Sequence, residues 1–199
     1  MNSLNRPGGN VTGVSVMNVE LATKRLELLH ELFPEAARFA MLVNPNSPLT
    51  SPLIAELRAV PTLGHQLEIL TAATNLDIDA AFTGAMQKRV DALLIAPDGF
   101  LASRRVQLAM LAVQNRLPVM YSSADYVRAG GLMSYASNFP DAYRQVGVYA
   151  GRVLKGDQPI NLPVLQPSKF ELVINLQAAK MLGLKIPDKL LALADEVIE

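Results

Sequence analysis

Three loops of the sequence place small polar side chains directly after apolar runs of strand length. Asn44, Asn46 and Ser47 follow one run, Asp98 follows a second and Ser122 follows a third. An amide both donates and accepts hydrogen bonds, whereas an ionised carboxylate only accepts them, so Asp98 can pair with a cationic amine. Groups of this kind can anchor the polar end of a small molecule. The same residue types also cap helices and form turns, and the sequence leaves both interpretations open.

The apolar runs before these loops are predicted to be strands of one parallel sheet. Runs that are apolar on both faces begin near Arg38, Gln66, Asp91 and Pro118. They recur about every 25 to 30 residues, with amphipathic helical stretches between them, as in βαβ units. This rhythm predicts an α/β fold with a doubly wound parallel sheet. In the usual strand order, 2-1-3-4, a ligand crevice lies between the first and third strands, at their carboxyl ends.

Weaker patterns on either side of this sheet complete the predicted elements. A strand is expected over residues 11–16 and a helix from an Asn18 cap to about Phe33, where Pro34 stops it. The predicted helices of the sheet region span 48–63, 76–89 and 101–115. After Gly130 the rhythm changes, and the expected elements are a strand over 132–136, a helix over 141–154, an extended segment over 159–167, a strand over 170–174, and short helices over 176–182 and 187–194.

Composition excludes several classes of partner. Eighteen basic residues balance eighteen acidic ones and no block of like charge is present, so we expect no nucleic-acid partner. The chain has no cysteine, which excludes disulfides and cysteine-type zinc sites. His30 and His65 have no second ligand at metal spacing, so no metal site is expected. No apolar run reaches the ~18 residues of a membrane span, and residues 1–9 do not have the pattern of a signal peptide.

The sequence also lacks the motifs of common enzymes on α/β sheets. Neither glycine-rich phosphate-loop pattern is present, and neither is the Gly-x-Ser-x-Gly nucleophile elbow. The neighbouring acids Asp77 and Asp79 are better explained as helix-end residues than as paired catalytic carboxylates. We therefore expect a protein without catalytic residues and without a cofactor.

Several segments resemble one family. Residues 6–13 (RPGGNVTG) resemble the entry into the second lobe of ABC-transporter substrate-binding proteins of the tryptophan/tyrosine type. Residues 167–176 (PSKFELVINL) and 179–187 (AKMLGLKIP) are similar to the C-terminal signature of that family, and the resemblance covers nearly the whole chain. It implies a non-enzymatic, periplasmic or otherwise extracytoplasmic receptor of an ABC importer. Such a receptor binds a small solute, such as an amino acid, between two lobes that close about a hinge, and then docks on permease subunits.

The resemblance also implies how the chain is divided. Family members carry an export signal and a first lobe before the RPGG point, so this chain is expected to start where the second lobe begins. Residues 1–136 would form the α/β second lobe, and residues 137–199 would recross the hinge and contact the missing first lobe. We expect the uncovered surface to favour a homodimer of this shorter chain.

Carried over by position, the ligand contacts of the family fall on six residues: Asn44, Asn46, Ser47, Asp98, Ser122 and, near the hinge, Tyr135. One departure concerns specificity. Amino-acid binders of the family often have Asp-Asn where this chain has Asp98 and Gly99, so the solute is not identified.

Two other functions are compatible with a doubly wound sheet. The effector-binding domain of a transcription regulator shares the two-lobed architecture, but it would carry a helix-turn-helix upstream. A small hydrolase or nucleotide-using enzyme would need a nucleophile, a base or a phosphate loop, and none of these is recognised in the sequence.

Overall fold

The computed structural model describes residues 3–60 and 66–199, which fall into two compact units. Unit 1 comprises residues 3–17 and 137–170, and unit 2 comprises residues 18–136 and 171–199. The chain therefore passes between the units three times, at 17/18, 136/137 and 170/171. The predicted boundary after residue 136 coincides with one of these crossings. How residues 1–136 and 137–199 divide between the lobes of a longer protein stays a prediction.

Seven strands form one sheet in the described residues, and helices connect most of them. The elements are α1 (Leu21–Leu32), β1 (Arg38–Val43), α2 (Thr50–Arg58), β2 (Gln66–Thr71), α3 (Asn75–Gln87), β3 (Ala92–Ile95), α4 (Gly99–Ser103), α5 (Arg105–Gln114), β4 (Val119–Tyr121), α6 (Ala124–Arg128), β5 (Met133–Ser137), α7 (Phe139–Leu154), a 3-10 turn (Pro159–Asn161), β6 (Phe170–Asn175), α8 (Leu176–Leu182), α9 (Asp188–Leu193) and β7 (Glu196–Ile198).

The order of the strands is β2-β1-β3-β4-β5-β6-β7. Strands β1 to β5 pair in parallel, which confirms the α/β fold with a mostly parallel sheet and the predicted 2-1-3-4 order. Between β5 and β6, the Asn175 amide donates to the Leu132 carbonyl and the Asn138 amide donates to the Lys169 carbonyl. As the residue number rises on β5 it falls on β6, so β6 runs antiparallel to β5.

The strands are apolar on both faces because alternate side chains of each strand pack into two hydrophobic cores, one on each face of the sheet. On β1, Phe39 and Met41 pack with α1, α2 and α8 on one face, whereas Ala40 and Leu42 pack with α3 and α5 on the other. Five of the six β1 residues are buried. Burial on both faces is what parallel strands covered by helices require, and it aligns the carboxyl ends of β1, β3 and β4 along one edge.

Several predicted boundaries were wrong. The strand over 11–16 reduces to a single bridge between Val14 and Leu165. The first helix begins at Leu21, and its N-cap position is occupied by Glu20, which makes no side-chain cap, so Asn18 lies two residues too early to cap it. The helix over 101–115 is two helices, α4 and α5, which meet at Arg104. The helix predicted over 48–63 is α2, Thr50–Arg58, and its predicted end at residue 63 lies outside the described part of the chain.

Strand β7 was missed by the sequence analysis. Its three residues are too few to show a period, and it exists because Glu196 and Val197 pair with Val173 and Ile174 of β6. The helix before it, α9, ends at Leu193, close to the predicted end.

Unit 1 is built around helix α7. The Tyr149 hydroxyl donates to the Pro163 carbonyl (2.8 Å), and the Thr12 hydroxyl donates to the Leu162 carbonyl (2.7 Å). Only Ala142 and Tyr149 of the sixteen residues of α7 are buried. The rest of its apolar stripe, which we call the α7 apolar face, is exposed and consists of Tyr143, Val146, Ala150, Val153 and Leu154.

Candidate functional site

The loops after β1 and β3 meet through a side-chain hydrogen bond. The Asn44 amide nitrogen donates to a carboxylate oxygen of Asp98 over 3.2 Å. The two residues are neighbours because β1 and β3 are adjacent in the sheet. Leu42, near the end of β1, pairs with Ile95, the last residue of β3. At the place where a crevice is predicted between the first and third strands, an amide and a carboxylate are therefore in contact.

Asp98 is also the N-cap of α4. Its Oδ1 accepts from the Leu101 amide (3.1 Å) as well as from Asn44, so one oxygen takes both hydrogen bonds. Within the described residues, Oδ2 has no hydrogen-bond partner, and the side chain is half-buried. The sequence left helix capping and ligand binding as alternative roles for Asp98. The geometry permits both roles, because Oδ1 caps the helix while Oδ2 can accept a hydrogen bond from a ligand.

The rest of the loop after β1 is a tight turn built on Asn44. The Asn44 Oδ1 accepts from the Asn46 amide (3.0 Å), and the Asn44 carbonyl accepts from the Ser47 amide (3.0 Å) and the Thr50 hydroxyl (2.5 Å). The Asn46 side chain is exposed and Ser47 is half-buried. Asn44 therefore holds the loop and touches Asp98, while Asn46 presents its amide to solvent.

The two remaining predicted residues lie on the neighbouring strands. Ser122 is buried (5% exposed) directly after β4, and the next residue, Ser123, caps α6. Tyr135 is half-buried on β5. Burial, and to a smaller extent Asp195, raises the pKa of the Tyr135 phenol, so the hydroxyl is neutral at physiological pH. The structure thus joins Asn44 to Asp98 directly.

A pair of buried tyrosines beside Asp98 was not foreseen. The rings of Tyr121 and Tyr126 stack with centroids 4.8 Å apart, and neither hydroxyl has a hydrogen-bond partner in the described part of the chain. Burial raises the pKa of both phenols above its ordinary range, and the Asp98 carboxylate raises that of Tyr126 further. Sequence patterns indicated only a buried strand end here, because the stack joins a strand residue to a helix residue through tertiary packing.

The described residues contain no cluster of three or more His, Cys, Asp and Glu side chains that would hold a metal ion. His65 lies outside this part of the chain. Among the same residues, no helix combines the length and apolar character that crossing a bilayer requires.

Known proteins resemble this chain over most or all of its length. A tyrosine-binding protein from Clostridioides difficile (strain R20291) is 25% identical over 186 residues, which are 92% of this chain and 52% of the relative. The structure of an ABC domain in complex with L-Trp from Streptococcus pneumoniae is 30% identical with a TM-score of 0.87, covering 100% of this chain and 68% of that one. A conserved domain protein from Vibrio cholerae O1 biovar El Tor is 27% identical with a TM-score of 0.89, covering 99% and 66%. The chain spans about half the length of the curated relative.

The family predicted from the sequence motifs is confirmed by these comparisons. A family model described as "ABC transporter substrate binding protein" matches residues 1–198. Members of this family are extracytoplasmic solute-binding proteins, which supports the expectation of a non-enzyme at the level of the family. Because the match spans nearly every residue, the chain belongs to the ABC transporter substrate-binding protein family.

Proposed function

We propose that this chain is the solute-binding part of an ABC importer receptor and that it holds an amino acid by its α-amino group. The contact between Asn44 and Asp98 at the tips of adjacent parallel strands carries this proposal. In open α/β sheets, ligands bind beyond the carboxyl ends of the strands where the strand order reverses, and β1 and β3 form that reversal. A relative named as a tyrosine-binding protein and a similar structure solved in complex with L-Trp support an aromatic amino acid as the solute.

Each polar group has a role in this proposal. Asp98 Oδ2 accepts from the ammonium group of the solute, while Oδ1 stays with Asn44 and Leu101. Such a charge-assisted contact is stronger than a neutral hydrogen bond. Asn46, Ser47 and Ser122 supply donors for the remaining polar groups, and Tyr135 closes the site toward the hinge. Gly99 supplies no side chain, so any amide that relatives place there is missing from this site.

Closure of two lobes around the solute is the second element of the proposal. Relatives extend well beyond the matched region, by about half of the curated relative's length. The exposed α7 apolar face supports a further lobe in the complete receptor, because a monomer rarely leaves a contiguous apolar patch in water. Solute that contacts both lobes would shift the population toward a closed form, and that form would dock on the permease subunits.

When that further lobe is absent, we propose that a second copy of the chain covers the α7 apolar face. A groove of about 520 Å³ runs along it, lined by apolar α7 residues and by the backbone around Val11 and Thr12. Two copies that pair through α7 would bury both stripes in one symmetric contact.

The experiment that tests solute binding compares two proteins. One is the 199-residue chain, and the other is a chimera that adds the part of the Streptococcus pneumoniae relative lying outside the match. Titration calorimetry with L-Tyr, L-Trp and a panel of other amino acids, nucleosides and small acids should give tight binding of an amino acid by the chimera and weak binding by the chain alone. Binding of no amino acid by either protein would refute the proposal, and turnover of a bound compound would refute the non-enzymatic role.

A further inference from the structure

Arg25 of helix α1 is a buried cation with an unusual location. Its side chain is only 2% exposed. Burial lowers the pKa of the guanidinium to about 10, so it still carries its charge at neutral pH. A buried charge is costly unless its donors are satisfied, and of the guanidinium nitrogens Nη2 has no hydrogen-bond partner in the described residues. No ion pair involving Arg25 occurs within residues 3–60 and 66–199, so backbone carbonyls, and not a carboxylate, are its hydrogen-bond acceptors.

The two carbonyls that Arg25 binds lie at two different crossings between the units. Its Nε donates to the Tyr135 carbonyl (2.7 Å), and its Nη1 donates to the Asn18 carbonyl (3.1 Å). Asn18 is the first residue of unit 2 after the crossing at 17/18, and Tyr135 is the penultimate residue before the crossing at 136/137. One side chain therefore ties together the two segments at the points where they enter and leave unit 2.

Unit 1 contains a corresponding hydrogen bond between the two segments, on its own side of the same two crossings. The Ser137 hydroxyl donates to the Val16 carbonyl over 2.9 Å. Between the two ties, Met17 has a φ of 48°, in the left-handed region that residues with a Cβ rarely adopt. Strained backbone of this kind persists only where its surroundings hold it, and hinges concentrate backbone change in a few such residues.

We propose that Arg25 is the positioning residue of the hinge, and that it holds two of the three crossing segments side by side so that they bend together at Met17 and Ala136. This inference rests on the proposed two-lobed receptor. The planar guanidinium suits the task because its rigid fork reaches two carbonyls at once, whereas a lysine ammonium on a flexible stem can match only one of them well. Arg25 acts on solute binding through the geometry of the hinge and not by touching the solute.

Hydrogen exchange tests this role in the 199-residue chain. In Arg25→Lys and Arg25→Met we expect the amides of residues 13–20 and 133–139 to exchange about tenfold faster or more, while the amides of β1 and β3 keep their native protection. Arg38→Met is the matched control, because Arg38 also donates to a backbone carbonyl, that of Lys88, but lies far from the crossings in sequence. Its exchange at both crossings should equal that of the native chain.

Each outcome decides the question. Faster exchange confined to the two crossings supports the proposal. Unchanged exchange there overturns it, and so does a uniform loss of protection or failure of both variants to fold, because Arg25 would then support the core as a whole. The solute-binding proposal fails independently: Asp98→Asn should weaken binding in the chimera and leave exchange at the crossings unchanged, whereas Arg25→Lys should speed solute release several-fold by favouring the open form.

Discussion

Asn44 and Asp98 are 54 residues apart in the sequence, and the amide nitrogen of one lies 3.2 Å from a carboxylate oxygen of the other. This bond connects the loops after two adjacent strands, and it leaves the second carboxylate oxygen without a protein partner in the described residues. The Asp98 carboxylate, which we propose binds a cationic amine, is thus held in place by its hydrogen bonds to Asn44 and Leu101.

The substitution Asp98→Asn tests the negative charge of this side chain separately from its role as the N-cap of α4. Asparagine caps a helix about as well as aspartate, so we expect the stability of the protein to change little. Loss of the charge should weaken binding of an amino acid about tenfold to a hundredfold, the range that corresponds to a hydrogen bond to a charged group. Titration calorimetry on the chimera measures the affinity, and thermal unfolding measures the stability.

Asp98→Ala and Asp188→Asn complete this comparison. The alanine variant should lose the same affinity and, in addition, about 1 kcal/mol of stability from the missing cap. Asp188 lies in the first turn of α9 and should be replaceable without any effect on affinity. Equal affinities in the native protein and Asp98→Asn would remove Asp98 from the site.

Gly99→Asn should improve binding of aromatic amino acids. A Cβ at Gly99 meets no atom within 4 Å, and the backbone φ lies outside the left-handed region, so the substitution fits without strain. An added neutral hydrogen bond corresponds to roughly a two- to tenfold gain in affinity. Gly84→Asn, on α3 and equally unobstructed, is the control. If affinity for every tested amino acid is unchanged in Gly99→Asn, this position does not set the specificity.

Gly131→Ala should destabilise unit 2. The added Cβ would lie 2.5 Å from the Tyr121 ring and 2.9 Å from the Tyr126 carbonyl oxygen, both of which are fixed by burial. Overpacking of this kind costs about 1–3 kcal/mol, measurable by urea unfolding. Gly84→Ala should instead stabilise the protein by about 0.5–1 kcal/mol, since Gly84 lies inside a helix. Equal midpoints for the two variants would contradict the close approach at Gly131.

Alkaline titration should reveal the stacked tyrosines. The folded pKa values of Tyr121 and Tyr126 lie above the unfolded value near 10, chiefly because of burial. The folded state then binds more protons than the unfolded state above that pH. Stability from these groups is fully present below about pH 10 and is lost as the pH rises beyond it.

The measurement is tyrosinate absorbance with and without urea. Fewer than five tyrosines should ionise near pH 10 in the native protein, and all five should do so in urea. Tyr126→Phe should reduce the loss of stability at high pH and should fold well, because its hydroxyl has no partner in the described residues. Native ionisation of all five near pH 10 would show that the stack is accessible to solvent.

The α7 apolar face should control self-association of the 199-residue chain. Leu154 is 87% exposed, so Leu154→Glu removes little packing within the chain. Light scattering after gel filtration should show a dimer for the native chain and a monomer for this variant. Val106→Glu, which changes a 55% exposed residue of α5, should leave the dimer intact. A native chain that is monomeric at high micromolar concentration would exclude the second copy as the occupant of this face.

Much of the fold was predictable because its causes are local. The β1 run from Phe39 to Val43 is apolar at every position, and only a strand covered on both sides buries such a run. The 2-1-3-4 order is a usual one for doubly wound sheets, and it already places Asn44 beside Asp98. The same reasoning could not rank the six candidate residues, because asparagine, serine and aspartate serve turns as readily as ligands.

Amino-acid order by itself therefore determined the class of fold, the order of the first four strands and the family, since each is expressed in periodic or contiguous patterns. Tertiary structure alone decided which side chains meet across long separations. Arg25 finds its carbonyl on Tyr135 across 110 residues, the tyrosine stack joins β4 to α6, and β7 forms only on the edge that β6 offers. No local pattern encodes such contacts, because each exists only after both partners have been brought together by the packing of the rest of the chain.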